Sequence, residues 1–148
     1  QNGILVRGLD NLLVRVSKCC NPVPGDPIIG YVTRGRGVSV HRSDCPNVKG
    51  LQDKNRRIDV SWNTTESGWY PVEIEVEALD RASLLRNIMD AVSEGSTNVV
   101  SVNARTTRSR TAIISMIISI KDIGHMESVM KRVRKVDGVM RVYRARPT

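Results

Sequence analysis

The nine residues Ala112–Ile120, AIISMIISI, constrain this chain more than any other stretch. A segment so apolar on both faces belongs at the centre of a sheet, with Ile114, Met116, Ile118 and Ile120 turned toward covering helices. The flanking sequence supplies the rest of such a sheet. Val72-Glu73-Ile74-Glu75-Val76-Glu77-Ala78 alternates strictly, with apolar side chains on one face and glutamates on the other. Asp80–Ser83 turns the chain into a helix whose Leu84, Leu85, Ile88, Ala91 and Val92 share one side, and Gly95 ends it. Val99–Ala104 reads as a strand. Asp122 is placed to cap a second helix with the stripe Met126, Val129, Met130, Val133 and Val136, closed by Gly138 before a last strand at Val139–Tyr143. The order is βαββαβ, and both helices must cover the same apolar sheet face, which is the ferredoxin-like arrangement. The Met and Ile stripes are therefore core, not a cofactor box.

From about residue 7 to Trp62 the grammar changes to short β-rich runs between turn residues. Leu12–Val16 reads as a strand that stops at two adjacent cysteines, followed by the rigid turn Asn21-Pro22-Val23-Pro24-Gly25-Asp26-Pro27. Ile28–Thr33 and Val38–His41 are strands joined by the basic turn Arg34-Gly35-Arg36-Gly37. Ser43 or Asp44 can cap a short helix through Cys45–Val48 with Pro46 in its first turn, and Arg57–Trp62 alternates as one half-buried strand. The fold class is α+β: a β-rich module at 1–62, near the lower size limit for independent folding, a polar linker at 63–70, and a ferredoxin-like domain at 71–148.

The formal net charge of +8 favours an anionic partner, most commonly nucleic acid. There is no phenylalanine, and aromatics make up only 3% of the chain, which argues against stacking of single-stranded bases. Phosphate contacts and shape are expected to dominate recognition. No apolar run approaches the roughly 18 residues of a membrane span, and no secretory leader is read at the N-terminus. Three cysteines fit no disulfide framework, so free thiols in a reducing cytoplasm are expected. The chain opens on Gln1 and not on methionine, so it is expected to be part of a longer polypeptide.

Three chemistries compete around the cysteines. Cys19, Cys20, His41 and Cys45 offer the three thiols and one imidazole of a tetrahedral zinc site. Against it, adjacent residues on an extended strand point to opposite faces, and the spaced C-x-x-C knuckle is missing. The reading adopted is a shape-fixing scaffold with neither metal nor cofactor. A cysteine nucleophile with His41 as base and Asp44 as orienter needs convergence in space that sequence alone does not supply. The anion-binding reading gathers Arg34, Arg36, His41 and Arg42 around one hairpin, whose glycines let phosphate approach the backbone. The sets Arg105, Arg108, Arg110 and Lys131, Arg132, Arg134, Lys135 read first as solvated charge.

The run Leu12–Arg15, Cys19–Asp26, Gly35–Arg42 and Asp44-Cys45-Pro46 closely resembles the C-terminal regulatory region of long RelA/SpoT-type guanosine tetraphosphate synthetase/hydrolases. There a zinc-finger-like, ribosome-intersubunit module precedes an ACT domain, to which the βαββαβ half is similar from Pro71-Val72 onward. The resemblance implies a non-catalytic segment of a GTP pyrophosphokinase of the stringent response, with catalytic domains upstream. Its implied partners are the ribosome (23S rRNA), deacylated tRNA and those upstream domains, with Asp44 and Cys45 joining Arg34, Arg36, His41 and Arg42 as RNA contacts. The alternative it implies is an ACT module that senses a branched-chain amino acid and forms a homodimer. Its ligand would meet Asp80, Arg81, Ser83 and Leu84, with Asn98 opposite. The family pattern Asp-Arg-x-Gly-Leu-Leu here reads Asp-Arg-Ala-Ser-Leu-Leu, so Ser83 adds a side chain where the ligand would sit, although its hydroxyl has the chemistry of a helix cap.

Overall fold

A computed structural model describes residues 3–6, 13–33, 37–49, 56–63 and 68–145. The chain divides into two compact units at Tyr70/Pro71.

The first unit is built from short strands: β1 (Ile4–Val6), β2 (Val14–Val16), β3 (Ile28–Thr33), β4 (Gly37–Arg42), β5 (Arg57–Ile58) and β6 (Val60–Trp62), with one short helix, α1 (Pro46–Lys49). Four of them form a sheet in the order β2-β4-β3-β5, in which β2 runs parallel to β4 and the other pairs are antiparallel. Gly37 opens β4 with φ +80, and a Cβ there would run into the Leu13 carbonyl, so the close approach of β2 to β4 requires glycine. The basic turn at Arg34-Gly35-Arg36 lies outside the described residues, as do residues 64–67 of the 63–70 linker.

The expected single strand at Arg57–Trp62 is two strands in two sheets. Residues 57–58 pair with β3, whereas 60–62 pair with β1, a strand that a reading begun at residue 7 omits. The break at Asp59 lets the chain cross Gly30, where a Cβ would stand 2.7 Å from the Val60 side chain. Ile4, Val6, Val38 and Val40 form the buried core of this crossing, with Ile58, Val60 and Trp62 packed on it.

The second unit follows the expected βαββαβ order: β7 (Tyr70–Leu79), α2 (Leu84–Glu94), β8 (Asn98–Thr106), β9 (Thr111–Ile120), α3 (Ile123–Arg134) and β10 (Val139–Arg144). The sheet order is β10-β7-β9-β8, which places the apolar run of β9 inside the sheet. Val72, Ile74, Val76 and Ala78 of β7 are buried together with Ile114, Met116, Ile118 and Ile120 of β9. Leu84, Ile88, Ala91 and Val92 of α2 and Met126, Val129, Met130 and Val133 of α3 are buried as well. Each buried valine, leucine, isoleucine or methionine among them contributes about 1.5–3 kcal/mol by leaving water. Asp122 caps α3 as read, its Oδ1 accepting from the His125 backbone N–H at 2.8 Å.

Two details differ. Leu85 is 40% exposed, because it stands one step round the helix from the buried stripe. Helix α3 ends at Arg134, so Val136 and Gly138 belong to the turn into β10. Among the described residues, no helix is long and apolar enough to cross a membrane.

Candidate metal centre and ligand pocket

The backbone solves the problem that adjacent cysteines pose. After β2 ends at Val16, the Ser17 N–H donates to the Val40 carbonyl at 2.9 Å, and the Asn21 N–H returns to the Ser17 carbonyl at 3.1 Å. Residues 18–20 are therefore a turn and not an extended strand, so the alternation that would separate the two thiols does not apply. On the facing side β4 presents His41. The Cys45 N–H donates to the Arg42 carbonyl at 3.0 Å, which folds the chain back so that Cys45 precedes α1.

The result is convergence. Cys19 Sγ lies 3.9 Å from Cys20 Sγ, 3.6 Å from Cys45 Sγ and 3.5 Å from His41 Nδ1, and Cys20 Sγ lies 3.8 Å from that same nitrogen. One donor atom from each of the four residues falls within 4.8 Å of every other. Ideal tetrahedral zinc, with Zn–S about 2.3 Å and Zn–N about 2.0–2.1 Å, requires S···S near ~3.8 Å and S···N near ~3.6 Å. The four donors fit that ion in both chemistry and spacing. They would hold it as a closed Cys3His centre, in which zinc supplies a structural cross-link with no open coordination position.

Burial pushes the Cys20 thiol up to about 12, although the Arg42 backbone N–H, 3.3 Å from its sulfur, opposes the rise. At Cys19 burial also acts upward, but hydrogen bonds from Asn47, Cys45 and Cys20 outweigh it and hold the thiol below its ordinary value. Burial lowers His41, which favours the neutral imidazole that a metal needs. Sequence reading missed three neighbours: Asn47, and Ser17 and Ser39, whose hydroxyls lie 3.0 and 3.2 Å from His41 Nε2. Period-two alternation on β4 was the signal for Ser39, since it shares a strand face with His41.

Of the residues read as one basic cluster, only His41 and Arg42 fall within the described residues. Arg34 and Arg36 lie outside the described residues. His41 and Arg42 close β4, which begins at Gly37. The Arg42 guanidinium grips Asp44 through two bonds of 2.9 and 2.6 Å, so its charge is already answered by a carboxylate. Cys45 is fully buried, which corrects its reading as an RNA contact: its side chain can touch nothing outside the chain. The nucleophile–base–orienter arrangement does not form either, because Asp44 is held by Arg42 while His41 Nε2 faces Ser17 and Ser39.

In the second unit a cavity of about 470 Å³ opens at the start of α2. Asp80, Arg81, Ser83 and Leu84 line it, joined by Leu85, Arg86, Arg105 and Thr106 over a floor that includes Ala112 and Ile114. Asn98 does not line it; it lies at the other end of β8, paired with Ser119. Arg81 is anchored in the protein, its Nε donating to the Asp137 carbonyl and its Nη1 to the Ala82 carbonyl and Asn87 Oδ1, all at 2.9–3.0 Å. Ser83 makes no side-chain cap bond. It stands in the left-handed region at φ 64, the conformation that glycine accepts most readily.

Comparison with known proteins matches residues 4–63 to the RelA/SpoT RIS domain and residues 66–144 to an ACT domain. The chain is 44% identical to a GTP pyrophosphokinase of Streptomyces antibioticus and 46% identical to one of Streptomyces coelicolor, covering 98% and 96% of this chain and 17% of each relative. It is 43% identical to the bifunctional (p)ppGpp synthase/hydrolase RelA of Mycobacterium tuberculosis, over 96% of this chain and 19% of that protein. The chain thus spans less than a fifth of these curated relatives. Among solved structures, the ACT domain from GTP pyrophosphokinase of Chlorobium tepidum is similar, with 20% identity, a TM-score of 0.47, and coverage of 53% of this chain and all of that one. The chain belongs to the ACT-domain family, and its two units are a RIS domain and an ACT domain of the RelA/SpoT type.

Proposed function

We propose that this chain is a non-catalytic regulatory segment of a (p)ppGpp synthetase/hydrolase, and that its RIS unit docks on folded ribosomal RNA when deacylated tRNA is bound. The observation that carries this reading is the uninterrupted RIS–ACT pairing, found within relatives named for GTP pyrophosphokinase or (p)ppGpp synthase/hydrolase activity. A net charge of +8 and the scarcity of aromatics support recognition through phosphates rather than bases. Docking acts by differential binding: it favours one arrangement of the whole polypeptide and so shifts activity in domains outside this chain. In the RIS unit Cys19, Cys20, His41 and Cys45 bind zinc as a structural centre, holding the cysteine turn, β4 and α1 in one frame.

The test is co-sedimentation of the chain with ribosomes carrying uncharged tRNA across a salt series. Binding should fall steeply with salt, and the double variant Arg34→Glu, Arg36→Glu should flatten the log–log slope by about 2. Ribosomes that fail to retain the chain in dilute buffer, or a slope untouched by charge reversal, would overturn it.

The pocket at Asp80–Leu84 favours a second reading, in which the ACT unit also binds a small amino acid. An apolar floor beneath a carboxylate and several guanidiniums suits a zwitterion with a branched side chain. Calorimetry with valine, leucine and isoleucine should give a saturable heat that Asp80→Ala abolishes. No heat from any of the three would remove this reading and leave the first intact.

A further inference from the structure

We infer that Ser17 and Ser39 are positioning residues that aim the His41 ring into the metal centre, so that Nδ1, and not Nε2, is the metal-binding nitrogen. The inference rests on the zinc reading above and concerns which residues make that site selective and tight.

The argument starts from the two ends of one ring. His41 Nδ1 points at sulfur, 3.5 Å from Cys19 Sγ and 3.8 Å from Cys20 Sγ. Nε2 points the opposite way, into two hydroxyls at 3.0 and 3.2 Å, and those hydroxyls are 3.1 Å from each other. These three polar atoms close a triangle. A neutral imidazole whose Nδ1 lone pair is given to a metal carries its one proton on Nε2. That proton needs an acceptor, and the serines provide one while exchanging their own hydroxyl hydrogen bond.

The serines come from different segments. Ser39 is two residues before His41 on β4 and shares its face, whereas Ser17 is tied across to that strand through its backbone N–H on the Val40 carbonyl. Ring orientation is therefore set by the same β2–β4 pairing that delivers Cys19 and Cys20, so the imidazole and the thiols are placed by one frame. Electrostatics explains why hydroxyls suit this place. Three thiolates and a dication leave one net negative charge, which the Arg42 backbone N–H and Asn47 already moderate by donating toward Cys20 and Cys19. A carboxylate behind the histidine would add a second negative charge to a half-buried site, whereas a hydroxyl pair adds none.

The experiment uses the whole 148-residue chain loaded with zinc. Long-range ¹H–¹⁵N NMR of the histidine ring in the unaltered chain should show a protonated Nε2 and a metal-shifted Nδ1 at His41. Competition with a chromophoric chelator should then show zinc held about 10–100-fold more weakly in Ser17→Ala/Ser39→Ala. The stoichiometry at saturating zinc should stay at one per chain, and Ser17→Thr/Ser39→Thr should recover most of the affinity. A ring bound through Nε2, or an affinity unchanged in the alanine pair, overturns the role of the serines while leaving the centre in place. An unaltered chain that takes up no zinc removes the centre itself and this inference with it. The NMR measurement needs no variant, so it decides the matter even if the alanine pair does not fold.

Discussion

The two units of this chain reach order by different means. The ACT unit lays two ten-residue strands, β7 and β9, side by side and buries four or five alternate residues from each beneath two amphipathic helices. The RIS unit has strands of two to six residues, a small aliphatic core around Val6, Val38 and Val40, and a second buried cluster made of Cys20, Tyr31, Cys45 and Val48. Small units bury too little apolar surface to be securely stable and commonly gain a cross-link or a metal. On the zinc centre proposed above, placing thiols where the other unit places isoleucines is that solution in local form. The lesson is that a cysteine-rich core in a short-stranded unit does the work that length and periodicity do elsewhere.

This contrast can be broken experimentally. The largest effect is expected from emptying the proposed zinc centre: chelation of the zinc-loaded chain, or Cys45→Ser, should abolish hydrogen-exchange protection across β2, β4 and α1 while β7 and β9 keep theirs. Equal loss in both units would show that the cross-link is not local. Next, Ile118→Ala should cost the ACT unit about 2–5 kcal/mol, because a fully buried side chain leaves a cavity that a packed sheet cannot close. Urea unfolding followed at a probe in each unit should show the ACT transition moving alone.

Ser83→Gly should act more gently and in the opposite direction. It relieves the left-handed strain at φ 64, offset by glycine's greater backbone entropy, for a gain of about 0.5–1 kcal/mol in thermal unfolding. A loss of stability would mean that the Ser83 hydroxyl contributes more than its backbone costs. The smallest effect concerns Tyr143. Loss of hydration and the carboxylates of Glu75 and Glu77, to which its hydroxyl donates at 2.9 and 3.0 Å, push the phenol up to about 12. A phenol raised on folding stabilises the folded form below its unfolded value near pH 10, and that contribution is lost as pH rises from there through about 12. Ultraviolet titration should show one late tyrosine phase that disappears in Tyr143→Phe.

The ACT unit was legible because its determinants are periodic. Alternation from Val72 to Ala78, helical spacing from Leu84 to Val92, and the Asp122 cap each depend on neighbours within a few residues, and each is found where the pattern put it. Leu85 and Val136 were misread at the margins, where one position round the helix or two past its end separates core from surface. Ser83, read as a pocket residue whose hydroxyl also has the chemistry of a cap, lines the pocket but makes no side-chain cap bond from its left-handed backbone. The RIS unit was harder. Ile4–Val6 and the break at Asp59 have no periodic signature, since a three-residue strand shows too little alternation to stand out and its partner lies more than fifty residues away in the chain.

The sequence by itself determined the order of elements in the ACT unit, which of its residues are core, the surplus of positive charge, and the four residue types from which a metal centre is made. Only the tertiary structure decided that the four donors meet, because a turn at Lys18–Cys20 overrides strand alternation and a fold-back at Cys45 closes the distance. It likewise decided that Arg42 answers Asp44, that Cys45 is sealed inside, and that Asn98 stands away from the Asp80 pocket. The reason is physical: periodicity records what each residue asks of the nearest solvent or core, whereas convergence depends on turns and strand pairings that bring distant segments together.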